Sequence, residues 1–263
     1  MVSPLWWCAA SLASITLCEC CLTFSDGGFD AHARYAVAVS SLCPIIAVFG
    51  AKRPQDSGWK FIVGSLWFVL ILPALQSSLF GFSGSLELHW AWRYFLLLLV
   101  VAGWSNYVLT RFWFASCGVV LVQLMLMAHY IPGVGMFLSE SNANDRQVVA
   151  VAMVVAAVTA VIVIWQSKRH ESTGLDGLWK DFRDMFGTVW ALRIMERANE
   201  TSKLQGWSKT LMWSGFESAE ADAINQRPTE SETLKMEQTM RTLLRRFVSP
   251  EWIARRLRRE SGD

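Results

Sequence analysis

The sequence predicts an all-α protein, a polytopic transmembrane helical bundle of about six spans followed by a cytoplasmic, mostly helical tail. Three observations carry that expectation. Apolar runs close to the ~20 residues a helix needs to cross hydrocarbon recur through the first 165 residues. Charge is split along the chain: 14 of the 46 Lys, Arg, Asp and Glu residues precede position 166, and 32 follow it. Past that point apolar residues recur at helical spacing among charges, as in an amphipathic helix. Neither part carries a strong net charge, so a basic nucleic-acid-binding domain is not indicated. The 14 tryptophans suit membrane interfaces, where an apolar ring and a polar N–H are both accommodated.

The expected spans cover residues 4–24, 35–50, 61–80, 94–109, 112–131 and 148–165. The first is interrupted only by Glu19. It starts without Lys or Arg and no small-x-small cleavage site follows, so it reads as a span rather than a leader. Pro44 and Pro73 fall inside the second and third spans, where neighbouring helices can re-satisfy the freed carbonyls. Ser25-Asp26-Gly27-Gly28, Pro54 to Gly58, Gly81 to Ser85 and the polar run Ser139 to Arg146 have loop chemistry. Between the fourth and fifth spans only Thr110-Arg111 remains, which implies a tight helical hairpin. The sixth span carries Ala152, Ala156 and Ala160, a stripe of small residues that permits close packing inside the bundle.

Basic residues beside the spans set the orientation. With the N-terminus inside, Lys52, Arg53, Lys60, Arg111, Lys168 and Arg169 fall on the inner side, against Arg34, Arg93 and Arg146 outside. Both termini are then cytoplasmic, and the chain is expected in the cell (inner) membrane.

The tail divides into a juxtamembrane amphipathic region at 166–216, a polar linker at 217–232 and a basic amphipathic end at 233–263. Leu178, Trp179, Phe182, Met185, Phe186, Val189 and Trp190 predict a helix from Gly177 to about Ala198, with Asp176 as its cap and Gly187 as a weak point. Lys180, Asp181 and Asp184 belong to its polar face on this reading, with Lys180 and Asp184 four apart. Leu204, Trp207, Leu211 and Met212 suggest a short second helix. Met236, Met240, Leu243, Leu244 and Phe247 form the stripe of another, and Ser249-Pro250-Glu251 starts the last. Arg241, Arg245, Arg246, Arg255, Arg256, Arg258 and Arg259 gather near the end, a pattern that suits the surface of an anionic leaflet.

Candidate chemistry is sparse. Glu19 is the one ionisable residue well inside a span, and such groups are functional candidates. Cys8, Cys43 and Cys117 read as small apolar core residues, and Cys18, Cys20 and Cys21 lack the spacing of a zinc site. The topology gathers His32, His89 and His129 on the outer side, where histidines can ligate haem iron or another metal. Trp90 and Trp92 follow His89 and could flank a macrocycle. In these features the chain faintly resembles membrane proteins that handle haem for cytochrome c assembly, although Trp90-Ala91-Trp92-Arg93 departs from the tryptophan-rich segment of that family. No phosphate-cradling loop, H-E-x-x-H or G-x-S-x-G occurs. The first expectation is therefore a non-enzymatic scaffold, assembly or accessory subunit without a cofactor, partnered by the bilayer and by a membrane protein or a second copy. A haem- or metal-handling protein using His32, His89 and His129, and a small transporter using Glu19, are the alternatives.

Overall fold

The computed structural model describes residues 3–23, 30–50, 56–79, 86, 88–131, 145–169, 174–218 and 229–257. The chain divides into two units, the first running to Trp165 and the second comprising Gln166 onward together with Leu109–Arg111. The described residues are all-α apart from one two-stranded hairpin.

The first unit contains α1 (Ser3–Thr23), α2 (Asp30–Ser40), α3 (Cys43–Phe49), α4 (Asp56–Leu79), α5 (Trp90–Ser105), α6 (Trp113–Leu126) and α7 (Asp145–Arg169). Three stretches are long and apolar enough to cross a membrane: Ala31–Phe49, Gly58–Leu79 and Arg146–Ser167. Ala10–Leu22, Trp90–Ser105 and Trp113–Leu126 are shorter apolar helices, so six full-length spans are more than helix length alone supports. The shortfall has a local cause. α5 gives way to turns at Asn106 and α6 at Met127, where Tyr107 N bonds Trp104 O at 2.9 Å and Tyr130 N bonds Met127 O at 2.8 Å. Thr110 and Arg111 do lie between two helices, but the connection runs from Asn106 to Phe112, longer than the two residues expected, because α5 ends at Ser105 rather than at 109.

α2 and α3 are one helix broken at Ser41-Leu42. Pro44, in the first turn of α3, has no N–H for the carbonyl four residues back. That carbonyl is Ser40 O, and it accepts the Ser11 hydroxyl of α1 at 2.7 Å. Ser41 O accepts Gln123 Nε2 of α6 at 3.0 Å, and Ser40 Oγ accepts Trp67 Nε1 of α4 at 2.8 Å. Pro73 lies inside α4 without ending it. Around the break lies a core of Tyr35, Val39, Leu42 and Ile46 with Leu70 and Leu96. Tyr35 is wholly buried. Its hydroxyl donates to Leu70 O at 2.9 Å and accepts Trp92 Nε1 at 2.7 Å, and its ring meets Tyr130 edge-on at 4.9 Å.

The alanine stripe of α7 is only partly an interface. Ala152 is buried, whereas Ala160 faces outward and Thr159 takes the inner position. A Cβ on Gly118 of α6 would stand 2.2 Å from Thr159 Oγ1, so the two helices meet at that glycine. Cys43 is buried as expected of a small core residue, but Cys8 and Cys117 are exposed.

The second unit contains α8 (Gly174–Gln205), β1 (Lys209–Leu211), β2 (Phe216–Ser218), α9 (Glu230–Leu244) and α10 (Pro250–Leu257). α8 kinks at Gly187, whose φ of 77° and ψ of −176° suit glycine alone. Asp176 does not cap α8: it lies in the first turn, and its Oδ1 accepts Phe216 N at 2.8 Å. The expected helix through Trp207 and Met212 is an antiparallel hairpin, with Leu211 opposite Phe216. Asn199 of α8 holds it by bonding both Leu211 N (2.7 Å) and Leu211 O (2.9 Å), as a neighbouring strand would. Ser249 Oγ accepts Trp252 N at 3.2 Å and caps α10, which suits its position before Pro250.

Phe247, between α9 and α10, closes the core. Its ring lies 5.3 Å from Phe182, 5.4 Å from Phe186 and 5.1 Å from Trp190, all edge-on. Such pairs add ~0.5–1.5 kcal/mol each beyond area burial. Phe247→Ala is expected to destabilise this unit by ~3–5 kcal/mol, whereas Leu234→Ala, at an exposed position, stays within ~0.5 kcal/mol. Denaturant titration with a limited-proteolysis readout of the C-terminal segment checks the contrast.

Candidate functional site

The first unit holds a cavity of about 420 Å³ whose wall combines apolar side chains with Glu19, Arg34, Arg93 and His129. α1 supplies Glu19 because Ser11, Ile15 and Leu22, at helical spacing, are its buried face. Glu19 follows Ile15 by one turn and so points the same way. α2 supplies Arg34, next to the buried Tyr35. Glu19 Oε1 and Arg34 Nε stand 3.5 Å apart, and both side chains are at least three-quarters shielded. Arg93, in the first turn of α5, donates Nε to Leu88 O at 3.0 Å. Among the described residues of the lining, Glu19 is the carboxylate and Arg34 and Arg93 are the guanidiniums. His129 comes from the turn after α6, and Val148 and Val149 of α7 close another side.

The three histidines occupy separate surroundings. His32 lies in the first turn of α2 rather than in a loop. It is buried, with Nε2 2.7 Å from Ser77 Oγ. His89 caps α5, its Nδ1 accepting Ala91 N at 3.3 Å. His129 alone lines the cavity. Trp92 donates its N–H to Tyr35, which gives its ring a structural role. Among the described residues no group of three His, Cys, Asp or Glu side chains could hold a metal ion.

The arginine-rich end is also divided. Arg241 pairs with Glu237 at 2.6 Å, and Arg245, Arg246 and Arg255 are exposed. Arg258 and Arg259 lie outside the described residues. Arg256 is committed to the fold: Nε meets Asp181 Oδ2 at 2.5 Å, and its guanidinium lies 3.8 Å from the Trp252 ring centre.

That pair belongs to a charged network the sequence reading missed. Asp181 and Asp184 are 5% and 2% exposed, not on a solvated face. Arg111 Nη1 stands 3.2 Å from Asp181 Oδ1, and Arg111 Nε stands 3.5 Å from Asp184 Oδ2. Arg183 Nη2 meets Asp184 Oδ1 at 2.9 Å and also lies over Trp213. Lys180 is not the partner of Asp184. A signal existed: Asp181 and Asp184 are three apart and interleave with Leu178, Phe182 and Phe186, so one helical stripe adjoins the aromatic one. Compared with protein-family models, curated proteins and solved structures, the chain matches none.

Removing one partner of a buried pair strands the other charge. Asp181→Ala is therefore expected to cost the second unit ~3–5 kcal/mol. Glu237→Ala, which breaks the more exposed pair with Arg241, should cost no more than ~1 kcal/mol. Parallel urea titrations of the two variants measure the difference, and equal losses would refute a structural role for the network.

Proposed function

We propose that the chain is a multi-pass membrane protein of the scaffold, assembly or accessory class, with no catalytic role of its own. One observation carries the reading: Leu109–Arg111 folds with residues beyond 166 as one unit, held by the ion pairs of Arg111. The turn and the tail then share one side of the membrane. If α7 crosses, residues 112–145 must first carry the chain to the opposite side, and α6 is the helix available to do so. α6 with its following turns reaches Ile131, 19 residues from Trp113, or ~28 Å at helical rise. Parity thus adds α6 to the three crossings that helix length supports, and six passes is the reading in which the short apolar helices α1 and α5 cross as well. The positive-inside pattern favours a cytoplasmic tail in the cell (inner) membrane.

A unit built from two separate stretches of the chain, Leu109–Arg111 and the residues from 166 onward, is suited to hold a partner. Val189 and Leu192, three apart on α8, are exposed apolar residues of that domain. Arg245, Arg246 and Arg255 suit an anionic leaflet, each worth ~1 kcal/mol near its surface. The haem or metal reading loses support, because the three histidines do not cluster. Transport through Glu19 loses support too, because Arg34 engages its carboxylate.

Two experiments test this. In a chain with its native cysteines replaced, Lys203→Cys and Asn142→Cys should react with an impermeant maleimide from opposite sides of the membrane. Labelling of both from one side would sink the six-pass topology. Mild-detergent extraction from native membranes should co-purify a stoichiometric partner or second copy that Leu192→Asp releases. Recovery of the chain as a lone monomer would count against the accessory role.

A further inference from the structure

We propose that the exposed arginines at the end of α9 and on α10 form a docking face for anionic phospholipid headgroups. The proposal rests on the reading that α6 crosses the bilayer. It deepens that reading by naming which face of the tail meets lipid and which lipid it selects.

Placement is the first argument. α7 ends at Arg169 and α8 begins at Gly174, so only a short connection separates the last span from the tail. Arg111 stands just before α6, at the bilayer edge once α6 crosses. Within the same unit, Asp181 meets Arg111 through Oδ1 at 3.2 Å and Arg256 of α10 through Oδ2 at 2.5 Å. One carboxylate thus holds α10 beside a residue at the edge of the membrane.

Charge is the second argument. α9 is polarised, with Glu230 and Glu232 in its first turn, Arg241 in its last, and Arg245 and Arg246 just beyond. Its 15 residues span ~22 Å, well past the ~8 Å over which salt screens a charge, so those acids do not offset the arginines. Arg245, Arg246 and Arg255 are exposed, and among the described residues none has a carboxylate within ion-pair distance. From Arg241 to Asp263 seven arginines stand against Glu251, Glu260 and Asp263, so this stretch stays basic when its residues outside the described set are counted. Arg256 is engaged by Asp181 and lies over Trp252, which leaves its neighbour Arg255 for a ligand. The exposed face of α8 differs, since Arg193, Arg197 and Lys203 alternate there with Glu196 and Glu200. Guanidiniums meet phosphate oxygens in two-pronged geometry. A surface of phosphates at the edge where α10 is held is therefore the occupant that placement favours over a soluble polyanion.

The test uses the full chain in nanodiscs, with native cysteines replaced and an environment-sensitive dye at Thr242→Cys, an exposed position between Arg241 and Arg245. Emission should shift to the blue in phosphatidylglycerol discs relative to phosphatidylcholine discs, and the shift should shrink as salt is raised. Each of Arg245, Arg246 and Arg255 should contribute about fivefold to that preference. Arg245→Gln, Arg246→Gln and Arg255→Gln together should therefore abolish it. Lysine at the same three positions (Arg245→Lys, Arg246→Lys and Arg255→Lys) should retain most of it, which separates lost charge from lost fold. Arg193→Gln, Arg197→Gln and Lys203→Gln together remove equal charge elsewhere on the unit and should leave it unchanged. The proposal is overturned if the dye responds equally in the two lipids, if the glutamine set keeps the preference, if the lysine set loses it, or if the α8 set loses as much. Discs present both leaflets, so the dye reads headgroup contact on either side. An error in the crossing of α6 would appear in the maleimide labelling instead and leave this readout intact.

Discussion

Pro44 has no hydrogen to give to the carbonyl of Ser40, and the arrangement of the first unit follows from how that debt is met. A buried carbonyl without a donor costs several kcal/mol, so a partner must come from elsewhere in the fold. It comes from Ser11 of α1. At the same break Gln123 of α6 reaches Ser41 O and Trp67 of α4 reaches Ser40 Oγ. Three helices distant in sequence are thus anchored at one point on α2–α3. The bond from Ser11 also fixes how α1 is rotated about its axis. Ser11, Ile15 and Leu22 face inward together, and Glu19 is turned toward α2, where Arg34 waits. The ion pair in the cavity wall thus follows from a proline nearly three turns from Arg34, in α3.

The second unit meets a similar demand with charges in place of carbonyls. Asp181 and Asp184 are buried on α8, and an isolated carboxylate there would be untenable. Arg183 supplies one partner from the next residue. The other two come from far along the chain, Arg111 about 70 residues before and Arg256 about 75 residues after. Buried ion pairs add little net stability, because desolvation offsets attraction. Their effect is geometrical: α10 and the Leu109–Arg111 turn have one arrangement in which every charge is matched. The aromatic cluster around Phe247 supplies the apolar burial, and the aspartates determine which segments share it.

Periodicity made most helices legible, because apolar spacing reports burial directly. Met236, Met240 and Leu244 were readable as a buried face for that reason. The failures were those of local reading. Trp207, Leu211 and Met212 are too few to separate a helical period from a strand's, and the deciding contact is Asn199, outside that window. Asp181 and Asp184 resembled a solvated face because their partners are distant in sequence. His32 and Arg34 looked like loop residues since the apolar run begins at Tyr35, yet α2 starts at Asp30. At Ala160 composition misled: Gly118 makes room for Thr159, and the interface turns one residue aside. For the cavity, sequence singled out Glu19 and His129 but had no means to join them to Arg34 and Arg93.

The positions of the cavity's charged residues bear on topology. Glu19 lies near the end of α1 and Arg34 at the start of α2. Arg93 opens α5, His129 follows α6, and Val148 opens α7. Helices that alternate up and down put these five places at one end of a bundle. A chain whose short helices merely dipped into the membrane and returned would scatter them. Their convergence on one cavity supports the alternating path, independently of the parity drawn from Arg111. It also explains how an apolar bundle carries these ionisable groups. They lie near helix ends, which in a membrane are the places where water and headgroups lower the cost of charge. On α7 the row Val151, Val154, Val158 and Val161 is exposed, a surface that hydrocarbon covers without cost and water would not.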